Sequence, residues 1–262
     1  MKKYLLDLDV TENIRLHPVC FLLKLTSTQK LPEMIPGQFA EIRIDDSPNT
    51  FLRRPVSIHY VDKQKNELGL LIRIVGAGTL HLSKLERGDK LNLILPLGNG
   101  FSLPQGGKTL LIGGGIGIAP LLFLGDTLKS MGYQPVFLLG AQTKEYIWQL
   151  ESFAQIGQVY VTTEDGSLGE KGFVTNHSIL QSEALDIPYP KKFDRIYTCG
   201  PMPMMVAVAK YAQAAGIDCE VSLENRMACG IGACLCCVEH TVKGNVCVCT
   251  EGPVFNINQL SW

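Results

Sequence analysis

Six of the nine cysteines in this chain of 262 residues lie between positions 229 and 249. The odd total argues against a closed disulfide framework. In a chain without a secretory signal, clustered cysteines are more often metal ligands or redox groups than disulfides. This segment therefore constrains the whole chain, because the remaining residues must serve the group that the thiols hold.

The spacing of these cysteines indicates which group is bound. Cys229, Cys234 and Cys237 form a C-x4-C-x2-C pattern, the spacing of a plant-type 2Fe–2S site. Such a cluster carries one electron at a time, so the rest of the chain is expected to supply or accept it. The alternative is structural zinc, whose sites usually combine two short Cys-x-x-Cys pairs. Only the pair Cys234 and Cys237 is clear, and Gly230 and Gly232 between the first two thiols favour the cluster.

The first part of the chain has the pattern of a small β domain. Apolar or alternating segments at 38–44, 56–61, 68–75 and 90–95 are separated by Pro, Gly, Asn and Asp. Many short strands without long helices are typical of an antiparallel barrel or sandwich. We therefore expect an N-terminal antiparallel β-barrel over residues 1–104.

The pattern changes after residue 104, where apolar strands begin to alternate with helical segments. This alternation predicts a parallel, Rossmann-like sheet with helices on its faces, over residues 105–218. A third unit, 219–262, would hold the cysteines, so the fold class is mixed β and α/β. The predicted strands are 109–112, 135–139, 158–162, 193–198 and 217–223, and the predicted helices are 119–131, 145–153 and 202–215.

Composition excludes several classes of function. The formal net charge is −1 and no basic stripe is present, so nucleic acid is not an expected partner. The N-terminus lacks the apolar run of a signal peptide, and no segment approaches the ~20 apolar residues of a membrane span. We expect a cytoplasmic protein that does not enter the membrane.

Two turns predict a nucleotide site. Glycines within 113–117 join a strand to a helix, where the backbone can approach a pyrophosphate and the helix N-terminus offers free N–H groups. This turn is not a G-x-G-x-x-G, so tight packing alone is an equal alternative. The segment 199–201, Cys-Gly-Pro, ends a later strand. Parallel sheets bind ligands beyond their carboxyl ends, which favours a ligand site over a simple buried turn.

The first half of the chain contains a further polar pattern. Arg53 and Arg54 precede Pro-Val-Ser57, and guanidinium groups with a hydroxyl suit a phosphate. Two exposed arginines on a sheet surface are the structural alternative. The segment 76–79, Gly-Ala-Gly-Thr, follows a strand and is a second candidate anion site.

These motifs occur in the order seen in ferredoxin-NADP reductase-like flavoproteins, which the chain resembles over essentially its whole length. The matching segments are 36–39, 54–57, 76–79, 113–117 and 199–201. The cysteine run and the ending Cys249-Thr-Glu-Gly-Pro-Val-Phe narrow the resemblance to the electron-transfer subunits of NAD-dependent dihydroorotate dehydrogenase B.

The resemblance implies three bound groups: FAD, NAD and a 2Fe–2S cluster. The implied FAD-binding residues are Arg54, Pro55, Val56, Ser57, Leu71, Ile72, Arg73, Gly78 and Thr79. The implied nucleotide-binding residues are Gly113, Gly114, Gly115, Gly117, Gly200 and Pro201. Cys199 is the candidate catalytic residue, shaping the nicotinamide pocket without acting as a nucleophile. The implied cluster ligands are Cys229, Cys234, Cys237 and Cys249, which leaves Cys236 and Cys247 as additional thiols.

The resemblance also implies a partner. An FMN-containing catalytic subunit would oxidise dihydroorotate to orotate in pyrimidine biosynthesis, in a heterotetramer of two copies of each subunit. Electrons would pass through this chain to NAD+. One alternative is a related reductase subunit that serves ferredoxin, sulfide or a hydrogenase. Another is a zinc-stabilised nucleotide-binding module without redox function.

The choice of nucleotide rests on the residues after the third parallel strand. NADP binding normally needs a basic residue near the ribose 2′-phosphate. Glu164 and Asp165 stand there instead, and Gln142 takes a place where relatives often carry arginine. Both features favour NAD, although the two acidic residues could also be solvated turn residues.

Overall fold

The computed structural model describes residues 2–45, 47, 50–181 and 192–262, and its first sheet is antiparallel. The order across this sheet is β4-β3-β7-β1-β2-β6-β5. The strands are β1 (Tyr4–His17), β2 (Cys20–Thr26), β3 (Phe39–Ile42), β4 (Arg54–Ser57), β5 (Tyr60–Asp62), β6 (Glu67–Arg73) and β7 (Lys90–Leu97), and a short helix, α1 (Ala77–Leu82), follows β6.

The sheet closes into a barrel, which confirms the expected N-terminal architecture. β4 and β5 lie at opposite edges of the sheet, yet only two residues separate them in the chain. The His59 N–H donates to the Gly69 carbonyl oxygen at 3.0 Å and continues the closure. The single strand predicted at 56–61 is therefore two strands, because its first half pairs with β3 and its second with β6.

The second sheet is parallel except at one edge. Its order is β11-β10-β9-β8-β12-β13-β16, with β16 antiparallel to β13. The strands are β8 (Thr109–Gly114), β9 (Val136–Ala141), β10 (Gln158–Thr163), β11 (Glu170–Lys171), β12 (Arg195–Cys199), β13 (Asp218–Ser222) and β16 (Val254–Asn256). The helices are α2 (Ala119–Ser130), α3 (Leu150–Ile156) and α4 (Met202–Ala214). Strand order reverses between β8 and β12, which makes their carboxyl ends the switch point where such sheets bind ligands.

The core explains why the strands of this sheet are continuously apolar. On β8, Leu110 and Ile112 pack into one hydrophobic cluster and Leu111 into another. Both faces of the sheet are covered, so alternation with polar residues is absent. A separate cluster fills the barrel.

The predicted helix 145–153 is correct only in its second half, because α3 begins at Leu150. A 3-10 turn at Lys144–Tyr146 ends before α3, and between them Gln149 has φ 61°, a left-handed conformation that interrupts a helix. Tyr146 and Trp148 instead pack against His17 of the barrel, with ring centroids 5.0 and 6.0 Å from it. Tertiary packing of these aromatic rings overrides the helical pattern.

The cysteine segment leaves the parallel sheet and returns to it. After β13 the chain forms the loop of cysteines, the hairpin β14 (Val238–Thr241) and β15 (Gly244–Cys247), and the short helix α5 (Val248–Glu251). It then pairs with β13 again as β16. β13 begins at Asp218, the predicted boundary between the second and third units, so strands of one sheet lie on both sides of that boundary. The division into 1–104, 105–218 and 219–262 stays a prediction.

The segment is also tied to the barrel. Just after β7, the Asn99 side-chain amide donates to the carbonyl oxygens of Thr250 (3.1 Å) and Glu251 (2.9 Å). Among the described helices, none has the length and apolar character needed to cross a membrane.

One buried carboxyl lies at this contact. Glu41 of β3 faces out of the barrel beneath the cysteine loop and has no exposed surface. Neither carboxyl oxygen has a hydrogen-bond partner in the described part of the chain. Gly230 covers it so closely that a Cβ there would lie 2.5 Å from Glu41 Cγ. Burial, and next the nearby Cys229 thiolate, raise the pKa of Glu41 to about 7.

This carboxyl should make stability fall as pH rises. Folded Glu41 keeps its proton up to about pH 7, whereas the unfolded chain releases it near the ordinary glutamate pKa of 4.5. Between pH 5 and pH 8, the free energy of unfolding of the unmodified protein should fall by about 3 kcal/mol more than that of Glu41→Gln. Urea denaturation across this range measures the difference.

The matched control is Glu151→Gln, which removes an exposed carboxyl from α3. Its pH profile should run parallel to that of the unmodified protein. A parallel profile for Glu41→Gln would show that Glu41 is ionised in the folded state throughout this range.

Candidate functional site

The ends of β8 and β12 touch at the switch point, and glycine makes the contact feasible. A Cβ on Gly117 would lie 2.4 Å from the Cys199 carbonyl oxygen. A Cβ on Gly200 would lie 2.9 Å from the Gly114 carbonyl oxygen. Any side chain at either position would push the two turns apart. Gly117 and Gly200 are therefore required here for packing.

A cavity of about 500 Å³ opens along this edge of the sheet. It runs from the turns after β8 and β12 past the ends of β9 and β10, and one wall comes from the barrel. Its lining includes Arg73, Gly114, Gly115, Gly140, Gln142, Tyr146, Trp148, Thr162, Glu164, Phe173, Pro201 and Met204.

The predicted glycines divide into two groups. Gly114 and Gly115 line the cavity, and Gly115 has φ +54° with open space where a side chain would be. Gly113 and Gly117 pack inward, since a Cβ on Gly113 would lie 2.9 Å from Ile118 Cγ2. Gly114 and Gly115 thus offer backbone to a ligand, while Gly113 and Gly117 shape the turn.

Cys199 is fully buried at the end of β12. Its thiol Sγ lies 3.9 Å from Glu224 Oε1, to which it donates. Burial and then the Glu224 carboxylate raise the pKa of Cys199 well above its usual value. A neutral thiol is a weak nucleophile, so the geometry suits a residue that shapes the pocket. Pro201, two residues on, lines the cavity itself.

The motifs predicted to hold a flavin meet on the barrel. The Arg54 guanidinium donates to the Leu52 carbonyl oxygen at 2.8 Å, and a Cβ on Gly78 would lie 2.8 Å from Arg54 Nε. The Thr79 hydroxyl accepts the Val75 N–H at 2.9 Å, so it orders the turn that leads into α1. Pro55 and Ser57 are half-buried and Val56 is buried.

The two arginines of this motif have different surroundings. Arg53 donates to Asn92 Oδ1 at 2.6 Å and to the Glu41 carbonyl oxygen at 3.2 Å, which commits it to the barrel wall. Arg54 bonds only to nearby backbone carbonyls in the described part of the chain. Arg54 is therefore the guanidinium of this pair that can turn to an anionic ligand.

The strand β6 connects the barrel to the cavity. Leu71 and Ile72 are buried in it, with 2% and 3% of their surface exposed. Arg73, the next residue, is exposed and lines the cavity. The cavity and the flavin motifs therefore share one residue.

The four predicted cluster ligands lie in the cysteine segment. The Cys229 thiol contacts that of Cys234, and the Cys237 thiol contacts those of both Cys249 and Cys247. In a 2Fe–2S cluster held by four cysteines, each iron takes two of them. Within the described ranges, no three His, Cys, Asp or Glu side chains are arranged to hold a single metal ion.

Backbone N–H groups point at three of these sulfurs. Gly232 donates to Cys249 Sγ at 3.1 Å, Cys249 to Cys237 Sγ at 3.4 Å, and Ile231 to Cys229 Sγ at 3.5 Å. Burial alone would raise the pKa of Cys229, but the N–H groups of Ile231, Cys234 and Ala233, together with the Cys234 thiol, outweigh it and lower that pKa to about 6. These donors favour the thiolate of Cys229, whereas burial and the neighbouring Cys237 raise the pKa of Cys249 to about 12. Hydrogen bonds to sulfur also tune the potential of a cluster.

The two additional thiols differ in position. Cys236 is exposed. Cys247 lies beside Cys237, and burial together with that neighbour raises its pKa. None of the contacts between thiols described for Cys229, Cys247 and Cys249 involves Cys236.

Several residues of the site were not found from the sequence. Tyr146, Trp148 and Phe173 line the cavity, and the first two lay in the segment predicted as a helix. Glu224 was not predicted as a site residue, and its contact with Cys199 depends on the pairing of β12 with β13. Tyr146, Trp148 and Phe173 could have been found from the sequence, because each is an aromatic residue that follows a parallel strand.

Two family models match the chain. Residues 224–261 match the iron-sulfur cluster binding domain of dihydroorotate dehydrogenase B, and residues 111–210 match the oxidoreductase NAD-binding domain. The first covers the cysteine segment and the second covers the glycine turn and the Cys-Gly-Pro turn.

Similar solved structures support the fold. The NADH-dependent reduced ferredoxin-NADP oxidoreductase structure has a TM-score of 0.86 at 29% identity, covering 97% of this chain and 90% of that one. A ferredoxin NADP+ reductase from Neisseria gonorrhoeae has a TM-score of 0.65 at 17% identity, covering 81% and 92%. The second likeness shows the fold alone.

Similar proteins of known name give the family. The electron transfer subunit of dihydroorotate dehydrogenase B (NAD(+)) from Lysinibacillus sphaericus is 41% identical over 85% of this chain and 86% of its own length. The subunit of the same name from Fusobacterium nucleatum is 38% identical over 95% of each. The chain therefore belongs to the family of electron transfer subunits of NAD-dependent dihydroorotate dehydrogenase B.

Proposed function

We propose that this chain carries electrons from a partner that oxidises dihydroorotate, through a 2Fe–2S cluster and FAD, to NAD+. The observation that carries the proposal is the contact between the cysteine loop and the flavin strands. Gly230 lies on Glu41, and Glu41 is the residue opposite Pro55 in the pairing of β3 with β4. One residue thus separates the cluster loop from the flavin motif.

Carrier chemistry explains why these groups occur together. Nicotinamide exchanges two electrons as hydride and the cluster exchanges one, whereas a flavin can do both. The chain's own residues hold these carriers close together and exclude water. They contain no site for dihydroorotate that the sequence or the described structure identifies.

The barrel supplies the flavin site in this proposal. Arg54 and Ser57 give polar contacts, with Pro55 and Val56 beside them. Gly78 leaves room for the Arg54 guanidinium against α1, as its 2.8 Å spacing indicates. The strand end Leu71, Ile72 and Arg73, with Thr79 in the following turn, completes the set.

The switch point supplies the nicotinamide site. Gly114 and Gly115 present backbone to the pyrophosphate, with Gly113 and Gly117 shaping their turn. Gly200 and Pro201 hold the end of β12 against them. Cys199 stays protonated beside Glu224 and shapes the floor of the pocket, as its raised pKa supports.

The cysteine loop supplies the cluster site, in which Cys229, Cys234, Cys237 and Cys249 would hold the 2Fe–2S cluster and the cluster would carry one electron at a time. The contacts of the Cys229 thiol with Cys234 and of the Cys237 thiol with Cys249 support this assignment. Backbone N–H groups lower the pKa of Cys229 and so favour its thiolate form. The N–H donors to three of these sulfurs favour this cluster over structural zinc.

The partner in this proposal is an FMN-containing catalytic subunit, in a heterotetramer of two copies of each chain. A cytoplasmic location belongs to the same proposal. Relatives named as electron transfer subunits support the existence of such a partner. Purification from native extract tests it: the chain should co-elute with an FMN protein, and the complex should reduce NAD+ with dihydroorotate.

A second candidate function has one specific observation in its favour. The structure related to ferredoxin-NADP oxidoreductase matches 97% of the chain with a TM-score of 0.86. A subunit serving ferredoxin would have the same three units. A purified complex that reduces ferredoxin with NADH, and does not act on dihydroorotate, would favour this alternative.

Replacing a proposed cluster ligand should interrupt the relay. We expect Cys229→Ser and Cys234→Ser to lose the 2Fe–2S signal in electron paramagnetic resonance and to abolish NAD+ reduction by dihydroorotate. NADH oxidation by ferricyanide should persist, because it needs only the flavin and the nucleotide site.

Cys236→Ser is the matched control for this experiment, since Cys236 lies in the same loop and is not one of the four proposed ligands. It should keep both the signal and the relay. Full dihydroorotate-dependent NAD+ reduction by Cys229→Ser would exclude the cluster relay.

Replacing the Arg54 guanidinium, which bonds only to nearby backbone carbonyls in the described part of the chain, should weaken FAD binding. A hydrogen bond to a charged group contributes about 1.5–3 kcal/mol, so Arg54→Ala should bind FAD roughly 10- to 100-fold more weakly. Fluorescence of released FAD during dilution gives the dissociation constant. The control is Arg43→Ala, an exposed arginine paired with Asp45, and an equal loss in that variant would contradict a specific role for Arg54.

A further inference from the structure

Two acidic residues follow β10 at the outer end of the cavity. The N–H of Glu164 donates to the Ala141 carbonyl oxygen at 3.0 Å, and the N–H of Asp165 donates to that of Gln142 at 3.3 Å. The ends of β9 and β10 are thereby tied together. Gln142 and Glu164 both line the cavity at this end.

Asp165 is occupied by its own turn. Its Oδ1 accepts the N–H of Ser167 at 3.0 Å and the Ser167 hydroxyl at 2.6 Å. The Ser167 hydroxyl, and next its N–H, lower the pKa of Asp165. Ser167 in turn accepts the N–H of Lys144 at 2.9 Å. This carboxylate stabilises the loop.

Glu164 has a different environment, although it is the adjacent residue. Its side chain is exposed and lines the cavity. It forms no hydrogen bond or ion pair with any side chain in the described part of the molecule. A carboxylate that faces a cavity without a partner is available to a ligand.

The charges around the cavity narrow the kind of ligand. Among the described lining residues, Arg73 is the sole cation, and it comes from the barrel strand β6. At the outer end the lining offers the Glu164 carboxylate, the Gln142 amide and the Thr162 side chain. The Glu164 carboxylate would repel a phosphate dianion at this end, because no described lining cation at this end offsets the repulsion. The same carboxylate would accept a hydrogen bond from a hydroxyl.

The register of the sheet places this end next to a nucleotide's ribose. Neighbouring strands lie about 4.8 Å apart, so the end of β10 is roughly 10 Å from the glycine turn after β8. A pyrophosphate at Gly114 and Gly115 leaves the adenosine ribose to extend across β9 toward β10. In dinucleotide sites an acidic residue typically binds the ribose 2′-hydroxyl of NAD.

We propose that Glu164, and not Asp165, selects NAD over NADP by accepting a hydrogen bond from the adenosine ribose 2′-hydroxyl. The same carboxylate repels the 2′-phosphate of NADP. This inference rests on the proposed function, because it requires a dinucleotide in the cavity.

Calorimetric titration of the full chain, loaded with FAD and cluster, tests the inference with three probes: NAD+, NADP+ and 2′-deoxy-NAD+. Glu164→Gln and Asp165→Asn are matched, since each replaces one carboxylate by its amide at adjacent positions. Measurements at 0.15 M salt restrict charge effects to about 8 Å.

Glu164→Gln should bind NAD+ more weakly and NADP+ more tightly, shifting the ratio of the two dissociation constants by ~10-fold or more. Its affinity for 2′-deoxy-NAD+ should match that of the unmodified chain, because that probe lacks the hydroxyl. Asp165→Asn should keep the ratio within roughly threefold, since its carboxylate faces the turn.

An unchanged ratio in Glu164→Gln, or an equal shift in both variants, would overturn the role of Glu164. So would a loss of 2′-deoxy-NAD+ affinity equal to the loss for NAD+. An unmodified chain that binds none of the three probes would overturn the proposed nucleotide site itself. That outcome differs from those that contradict only the role of Glu164.

Discussion

The close approach of two strand ends, β8 and β12, is the constraint on which the rest of the site depends. Gly117 lies on the Cys199 carbonyl and Gly200 on the Gly114 carbonyl, with no room for a Cβ at either position. This contact fixes the start of α2 and α4 and places Gly115 and Pro201 on one cavity wall. Without it, Gly115 and Pro201 would not share one wall of the cavity.

The cavity is built by two sheets at once. Arg73 ends a barrel strand, whereas Gly114, Gln142 and Glu164 follow strands of the parallel sheet. The cysteine loop is likewise shared, because it rests on Glu41 of the barrel and begins and ends on the parallel sheet. Electron transfer between carriers depends on distances that only this joint arrangement sets.

The sequence predicts local patterns of this molecule well and long-range contacts poorly. The alternating strands, the glycine turn and the spacing of Cys229, Cys234 and Cys237 are local, and they correctly indicated a barrel, a parallel sheet and a metal-binding loop. The first half of the helix predicted at 145–153 is wrong because Tyr146 and Trp148 pack against His17, more than a hundred residues away. The burial of Glu41 was not predicted for the same reason, since the cysteine loop covers this residue only in the folded protein. Similarly, Glu164 and Asp165 are adjacent acidic residues in the sequence, and only the structure shows that Asp165 accepts the Ser167 N–H while Glu164 lines the cavity.

The return of the chain from β13 to β16 has a consequence for how this architecture can diversify. Residues 224–253 form an excursion between two hydrogen-bonded neighbouring strands, so its ends stay together whatever lies between them. Lengthening or replacing such an excursion costs little closure entropy, which grows only with the logarithm of its length. A reductase framework of barrel and parallel sheet can therefore acquire, exchange or lose a one-electron module at this place without altering its hydride-transfer half.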